Sequence, residues 1–278
     1  MNNQKLTPMG NKILSGLFFL LFFCQCTNQA EENNSLNSDD IIFTTDMCLP
    51  DVADKYVYPI LPGTEEWKNL GSGEEIIKAH QIPDDTLGNI STLGLVRSFL
   101  DIPMLHSNYH LSSDASPTGR MNKIYPYYNS AQEIINREDA GEALLIYYDA
   151  IAFDCLASQK EIDGMNFDDQ VREAAKQMDF MVQIAAVEVF FAQPKILENF
   201  NHTDRQKVVV KLLDKSKQME QMHIEGFRNY AALEVIANVM YLSNYHPIVD
   251  YFGSGKNYIT LMSSDVDDII LFANQFIH

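Results

Sequence analysis

The stretch "NFDDQVREAAKQMDFMVQIAAVEVFFAQP", residues 166–194, constrains the chain more than any other. Val171, Ala174, Ala175, Met178, Met181, Val182, Ala185 and Val189 recur at three- and four-residue steps, which puts them on one face of an α-helix. Asp168 and Asp169 suit its positive N-terminus, and Pro194 stops it. From Phe180 to Ala192 the helix is apolar nearly all round, so it must be a central element covered by neighbours. Glu188 interrupts that apolar stretch. A carboxylate there must face solvent, find a hydrogen-bond donor or cation, or carry a raised pKa.

Other segments carry the same period. "DRQKVVVKLLDKSKQMEQM" follows Thr203 as expected cap, with Val209, Leu212, Leu213 and Met219 inward. "FRNYAALEVIANVMYLSNY" ends near His246-Pro247, and "SSDVDDIILFANQF" has Ser264 as candidate cap. "STLGLVRSFLDIP" runs from Ser91 or Thr92 to Pro103, and "REDAGEALLIYYDAIAFDCLAS" adds one or two helices. "DIIFTT" and "NYITLM" are too short to demand a sheet. The expected class is all-α, an irregular orthogonal domain of roughly eight to ten helices. Helix pairs in series make an α-solenoid the alternative, although no fixed period stands out.

Before this body comes a different kind of sequence. Ile13 to Phe23 is an apolar run behind Lys5 and Lys12, with no acidic residue. It falls short of the roughly 20 residues that cross a bilayer but matches the h-region of a secretory leader. A lipoprotein leader ends in a cysteine that is then acylated. Cys26 is the favoured position and Cys24 the alternative, although Phe23 and Gln25 are bulkier than the residues usual there. Ordinary cleavage at Cys24-Gln25-Cys26 or Asn28-Gln29-Ala30 remains the other route, giving a secreted, soluble product. The expected organisation is a signal peptide over 1–25, a flexible tether over 26–50 and a single helical domain over 51–278. With Cys24 and Cys26 set aside, Cys48 and Cys155 remain, an even pair for an oxidising compartment or two buried thiols.

The chain carries 38 acidic and 20 basic residues, a net charge of −18 at pH 7. Such a field repels phosphate backbones and disfavours anionic head groups. The expected membrane attachment is therefore the lipid anchor, the chain takes no nucleic acid, and a protein or glycan is the open class of partner.

Three segments, "YVYPILPGTEEWKNL", "HQIPDDTLGNISTLGLV" and "AQEIINREDAGEALL", resemble a set of exported bacterial proteins sharing the order YP, PGTEEW, QIP, ST-x-GLV, R-x-DAG. The resemblance covers about a third of the chain and implies export and a common helical domain; it assigns no activity or catalytic residue. On their own the residues read as fold instructions. Pro62-Gly63 is a turn, Thr64 caps a short helix, Trp67 anchors it, and Pro83 suits the first turn of the next.

Chemical signals are thin. His106 and His110 are four apart, the spacing of two metal ligands on one helical face, with Asp114 at the same interval. Pro103 and "SSDASPTG" argue against a helix there, so His106 to Tyr128 reads as a long irregular zone and the first place to look for a site. His223 and Glu225 are two apart and share no helical face. "FGSGKNY" fails as a phosphate loop, leaving Gly253 and Gly255 as turn residues. "EIDGMNFDDQ" lacks the alternating ligands of a calcium loop. Asp85-Thr86-Leu87 matches a three-residue O-glycosylation pattern. Tyr125, Tyr127 and Tyr128 could form a recognition patch or lie in the core. Two functions emerge: a surface-tethered helical binding or scaffold module that needs no cofactor, and an envelope metal-dependent hydrolase using His106, His110 or Glu188.

Overall fold

A computed structural model describes residues 48–112, 114, 116–153, 155–222 and 230–278. The expected leader, Cys24, Cys26 and "DIIFTT" lie outside the described residues. Among these residues there are fifteen α-helices and no strand. They are α1 (Glu65–Lys68), α2 (Gly73–Ala79), α3 (Asp84–Leu87), α4 (Thr92–Leu100), α5 (Leu105–Leu111), α6 (Pro117–Ile124), α7 (Asn129–Asn136) and α8 (Ala140–Ala150). The rest are α9 (Gln159–Asp163), α10 (Phe167–Phe190), α11 (Pro194–Glu198), α12 (His202–Met222), α13 (Tyr230–Leu242), α14 (His246–Phe252) and α15 (Val266–Phe276). The class is all-α, as expected; the number exceeds eight to ten because α1, α3, α9 and α11 span little more than one turn, too short to leave a period in the sequence.

The helix α10 takes the central place that its composition demands. Phe180, and every residue from Val182 to Phe190, is buried, with α4, α5, α6, α8 and α13 packed around it. Contacts that skip across the chain in this way are those of an irregular bundle; in a solenoid each repeat touches only its neighbours. Asn166 caps α10 by accepting from the Asp169 amide, and Pro194 both ends it and opens α11.

The folded body begins earlier than expected. Cys48 and Leu49, expected in the tether, are in the core. The disulfide Cys48–Cys155 closes across 107 positions of sequence, with Cα atoms 5.3 Å apart. The Leu49 carbonyl accepts from Arg97 Nη1 at 3.3 Å, the Pro50 carbonyl from the Tyr147 hydroxyl at 3.3 Å, and the Tyr56 amide donates to Ser98 Oγ at 2.7 Å. Arg97 is buried but doubly bonded to Asp101, Nη2 to Oδ1 at 3.0 Å and Nε to Oδ2 at 3.1 Å. Its paired charge anchors the incoming segment on α4 and α8.

Residues of the segments around Ser91, Gln81 and Arg137 form structural joints. Ser91 caps α4 by accepting from the Gly94 amide at 3.0 Å, and Asp54 accepts from both the Ser91 amide and hydroxyl. Thr92 Oγ1 donates to Asp139 at 2.7 Å, while Arg137 donates to the carbonyls of Leu87 and Ile90. The Gln81 side chain accepts from the Asn129 amide, and the Asn129 side chain bonds both the amide and the carbonyl of Ile82, fastening residues 81–82 to the start of α7.

Three local expectations are corrected. The zone from His106 to Tyr128 is mostly helical, as α5, α6 and a 3₁₀ turn at Tyr125–Tyr127. Ser116 accepts from the Gly119 amide at 2.9 Å with Pro117 in the first turn, so "SPTG" starts a helix where it looked like a breaker. The cap of α12 is Asn201, not Thr203, through a reciprocal pair with Asp204. Asp265, not Ser264, precedes α15 and accepts from the Met262 amide. "NYITLM" is irregular; the side chain of Asn238 bonds both the amide and the carbonyl of Ile259, in place of a partner strand.

Candidate functional site

Where α5 and α6 cross α10 and α13, titratable side chains gather in an otherwise apolar interior. Glu188 of α10 is fully buried and accepts from the Tyr148 hydroxyl of α8 at 2.7 Å. Glu234 of α13 is buried too; its two oxygens accept from the Thr118 amide at 2.8 Å and the Leu261 amide at 3.3 Å. Burial holds the Glu234 carboxyl above its usual range, with those hydrogen bonds opposing. Tyr109 of α5 is near both carboxylates, and the Arg120 guanidinium covers its ring at 5.1 Å. Burial pushes the Tyr109 phenol up to about 12, Arg120 opposes the shift, and Glu234 and Glu188 add to it.

A half-exposed edge adjoins this interior. Burial raises the Asp179 carboxyl of α10, and the nearby His106 opposes the shift. His106 Nε2 is enclosed without a hydrogen-bond partner. His110 is held below the usual imidazole range by burial and by the charges of His106 and Arg120.

The residues singled out from the sequence fall as follows. His106 and His110 share a face of α5, where a helix was doubted, and their rings meet edge to face at 4.5 Å. Asp114 stays apart from them. It accepts from the Ser116 amide at 3.1 Å, and that bond, with Lys123 3.3 Å away, holds it below the usual carboxylate range. Among the described residues no three His, Cys, Asp or Glu side chains are arranged to hold an ion. His223 and Glu225 lie outside the described residues. Tyr125 and Tyr128 lie in the core, one of the two places open to them. Tyr125 stacks on Phe190 at 4.3 Å and donates to the Ala186 carbonyl, and Tyr128 accepts from Asn108 Nδ2. Only Tyr127 of the three is exposed. Gly253 and Gly255 are turn residues with φ of 78° and 82°. Thr86 is half-buried in α3, its hydroxyl 3.3 Å from Asp85.

Sequence reasoning passed over Asp179, Tyr109, Arg120 and Glu234. One signal was available: Glu234 breaks the apolar run "YAALEVIANVM" just as Glu188 breaks its own. No helix among the described residues is long and apolar enough to cross a membrane. Comparison with protein-family models, with characterised proteins and with solved structures finds no match.

Proposed function

We propose that this chain is an exported protein, lipid-anchored at Cys26, whose acidic helical body is a binding or scaffold module at the cell envelope, and that it belongs with the exported bacterial proteins sharing its PGTEEW and ST-x-GLV elements. The observation that carries the reading is the disulfide between Cys48 and Cys155, the two cysteines that remain once the leader and the anchor position are set aside. Disulfides persist in oxidising compartments, which agrees with an apolar leader ahead of the fold. The buried carboxylates favour a scaffold. Glu188 and Glu234 are tied to Tyr148, Thr118 and Leu261, so they join helices together rather than wait for a substrate.

The test is fractionation of native cells making the chain or its Cys26→Ala variant. The anchored protein partitions with membranes and the variant does not; equal partitioning of both removes the anchor from Cys26. A second reading, an envelope hydrolase, draws support from the meeting of His106 with Asp179 at the α5–α10 crossing. Metal analysis of the purified protein separates the two. Stoichiometric metal that is lost in His106→Ala supports the hydrolase.

A further inference from the structure

His80 follows α2 and is completely buried, yet neither ring nitrogen makes a hydrogen bond of good geometry. Its ring lies between Tyr58, edge-on at 5.5 Å, and Trp67 of α1 at 5.6 Å. Burial keeps it below the usual imidazole range, and the Ile60 carbonyl is the one group opposing that shift. The charged side chains of the surrounding elements point elsewhere. Glu65, Glu66 and Lys68 of α1, Glu74, Glu75 and Lys78 of α2, and Asp84 and Asp85 of α3 are exposed. Lys55 pairs with Asp51 and Asp101. On the α7 side the uncharged Ser130 lies beside the Tyr58 hydroxyl and Asn129 accepts from the Ile82 amide, while Glu133 of α7 pairs with Arg137.

The elements around this ring are held lightly. Neither α1 nor α2 buries a single residue. Between Tyr58 and Ile82, both in the core, His80 is the only buried side chain. We propose that residues 59–80, ahead of the joint that Gln81 makes with α7, form a pH-released cover over the aromatic face of Tyr58, with His80 as its latch.

The physics is that of a neutral group in an apolar cage. The closed cover accepts neutral imidazole. An imidazolium there would lack both water and a counter-charge, so the closed site disfavours it. Protonation therefore favours the open form, in which His80 reaches solvent. The closed-state pKa lies below the open-state value near 6.5, so closure is strongest above that pH and weakens as pH falls through it. Between the two values the open-to-closed ratio rises by up to about tenfold per pH unit, the limit for one proton. Release exposes Trp67 and the face of Tyr58 while the disulfide and Arg97 keep residues 48–50 in place.

Trp67 is the single tryptophan of the chain, so its fluorescence reports on the cover alone. Titrating the full chain from pH 8 to 5, we expect Trp67 to become more accessible to acrylamide below about pH 6.5, with the far-ultraviolet helix signal unchanged. His80→Phe, which fills the cage without titrating, should show the same quenching at every pH. Should that variant fail to fold, His80→Gln and the NMR titration of the His80 ring decide the matter. A flat response in the native chain, the same response in His80→Phe or His80→Gln, or a His80 ring titrating at or above 6.5 would each overturn the proposal.

Discussion

Replacing both Cys48 and Cys155 with alanine removes the cross-link without leaving a free thiol. The magnitude follows from the loop it closes. For a sequence separation of 107, the chain-entropy relation gives about 5 kcal/mol at 25 °C, most of it an effect on the unfolded chain. The alternative to global loss is that residues 48–56 merely peel away. That route gives up the Arg97–Leu49, Tyr147–Pro50 and Tyr56–Ser98 hydrogen bonds and the burial of Leu49. At about 1 kcal/mol per hydrogen bond and about 2 for a buried leucine, peeling costs as much as the cross-link contributes, so the segment stays docked. The full effect should then appear as a fall in Tm of roughly 10–20 °C, at 2–4 °C per kcal/mol for a domain of this size. Circular dichroism melts of the double variant, and of native protein with and without reductant, measure it. A fall below roughly 3 °C in both would refute the reasoning, showing that the closed loop is not what the unfolded chain loses.

Other predictions rest on separate parts of the molecule. Glu234→Ala leaves the Thr118 and Leu261 amides without acceptors and should cost about 2–5 kcal/mol in denaturant unfolding, with Glu234→Gln recovering part of it. Because the folded-state pKa of Glu234 is raised, its protonation favours folding at low pH, and that gain is lost as pH rises through the folded value. The stability difference between native protein and Glu234→Gln should therefore shift against the native chain from about pH 4.5 upward, and a constant difference would contradict the burial argument. At Gly141 an added Cβ would lie 2.4 Å from the Phe200 ring, so Gly141→Ala should cost about 1–3 kcal/mol, relieved when Phe200→Leu is added. Tyr125→Ala should cost about 3–5 kcal/mol and Tyr127→Ala within about 0.5, the difference between a stacked core ring and an exposed one.

The long helix was legible because its signal is its own: a period sustained over many turns, an aspartate pair at the start and Pro194 at the end. The Ser91 cap was legible for the same local reason, since serine ahead of an apolar run offers its oxygen to an amide three residues on. The segment from Leu105 to Ile124 was misread because proline and serine serve equally as breakers and as helix starts. Only the bond from Gly119 to Ser116 tells the two apart. The cluster at the α5–α10 crossing was hidden for a different reason. Tyr109, Arg120, Asp179, Glu188 and Glu234 meet through tertiary packing of four helices, and nothing local in the sequence encodes that meeting. What the sequence does carry is a carboxylate inside an apolar run, noticed at Glu188 and passed over at Glu234.

The central claim is that the chain leaves the cytosol and is anchored at Cys26 ahead of a disulfide-closed body. Intact-mass analysis of protein extracted from its native cells addresses it most directly. The account predicts a chain beginning at an acylated Cys26, two mass units lighter than the reduced form through Cys48 and Cys155. An unacylated chain beginning at Met1, recovered from the soluble cell interior with both thiols free, would contradict it.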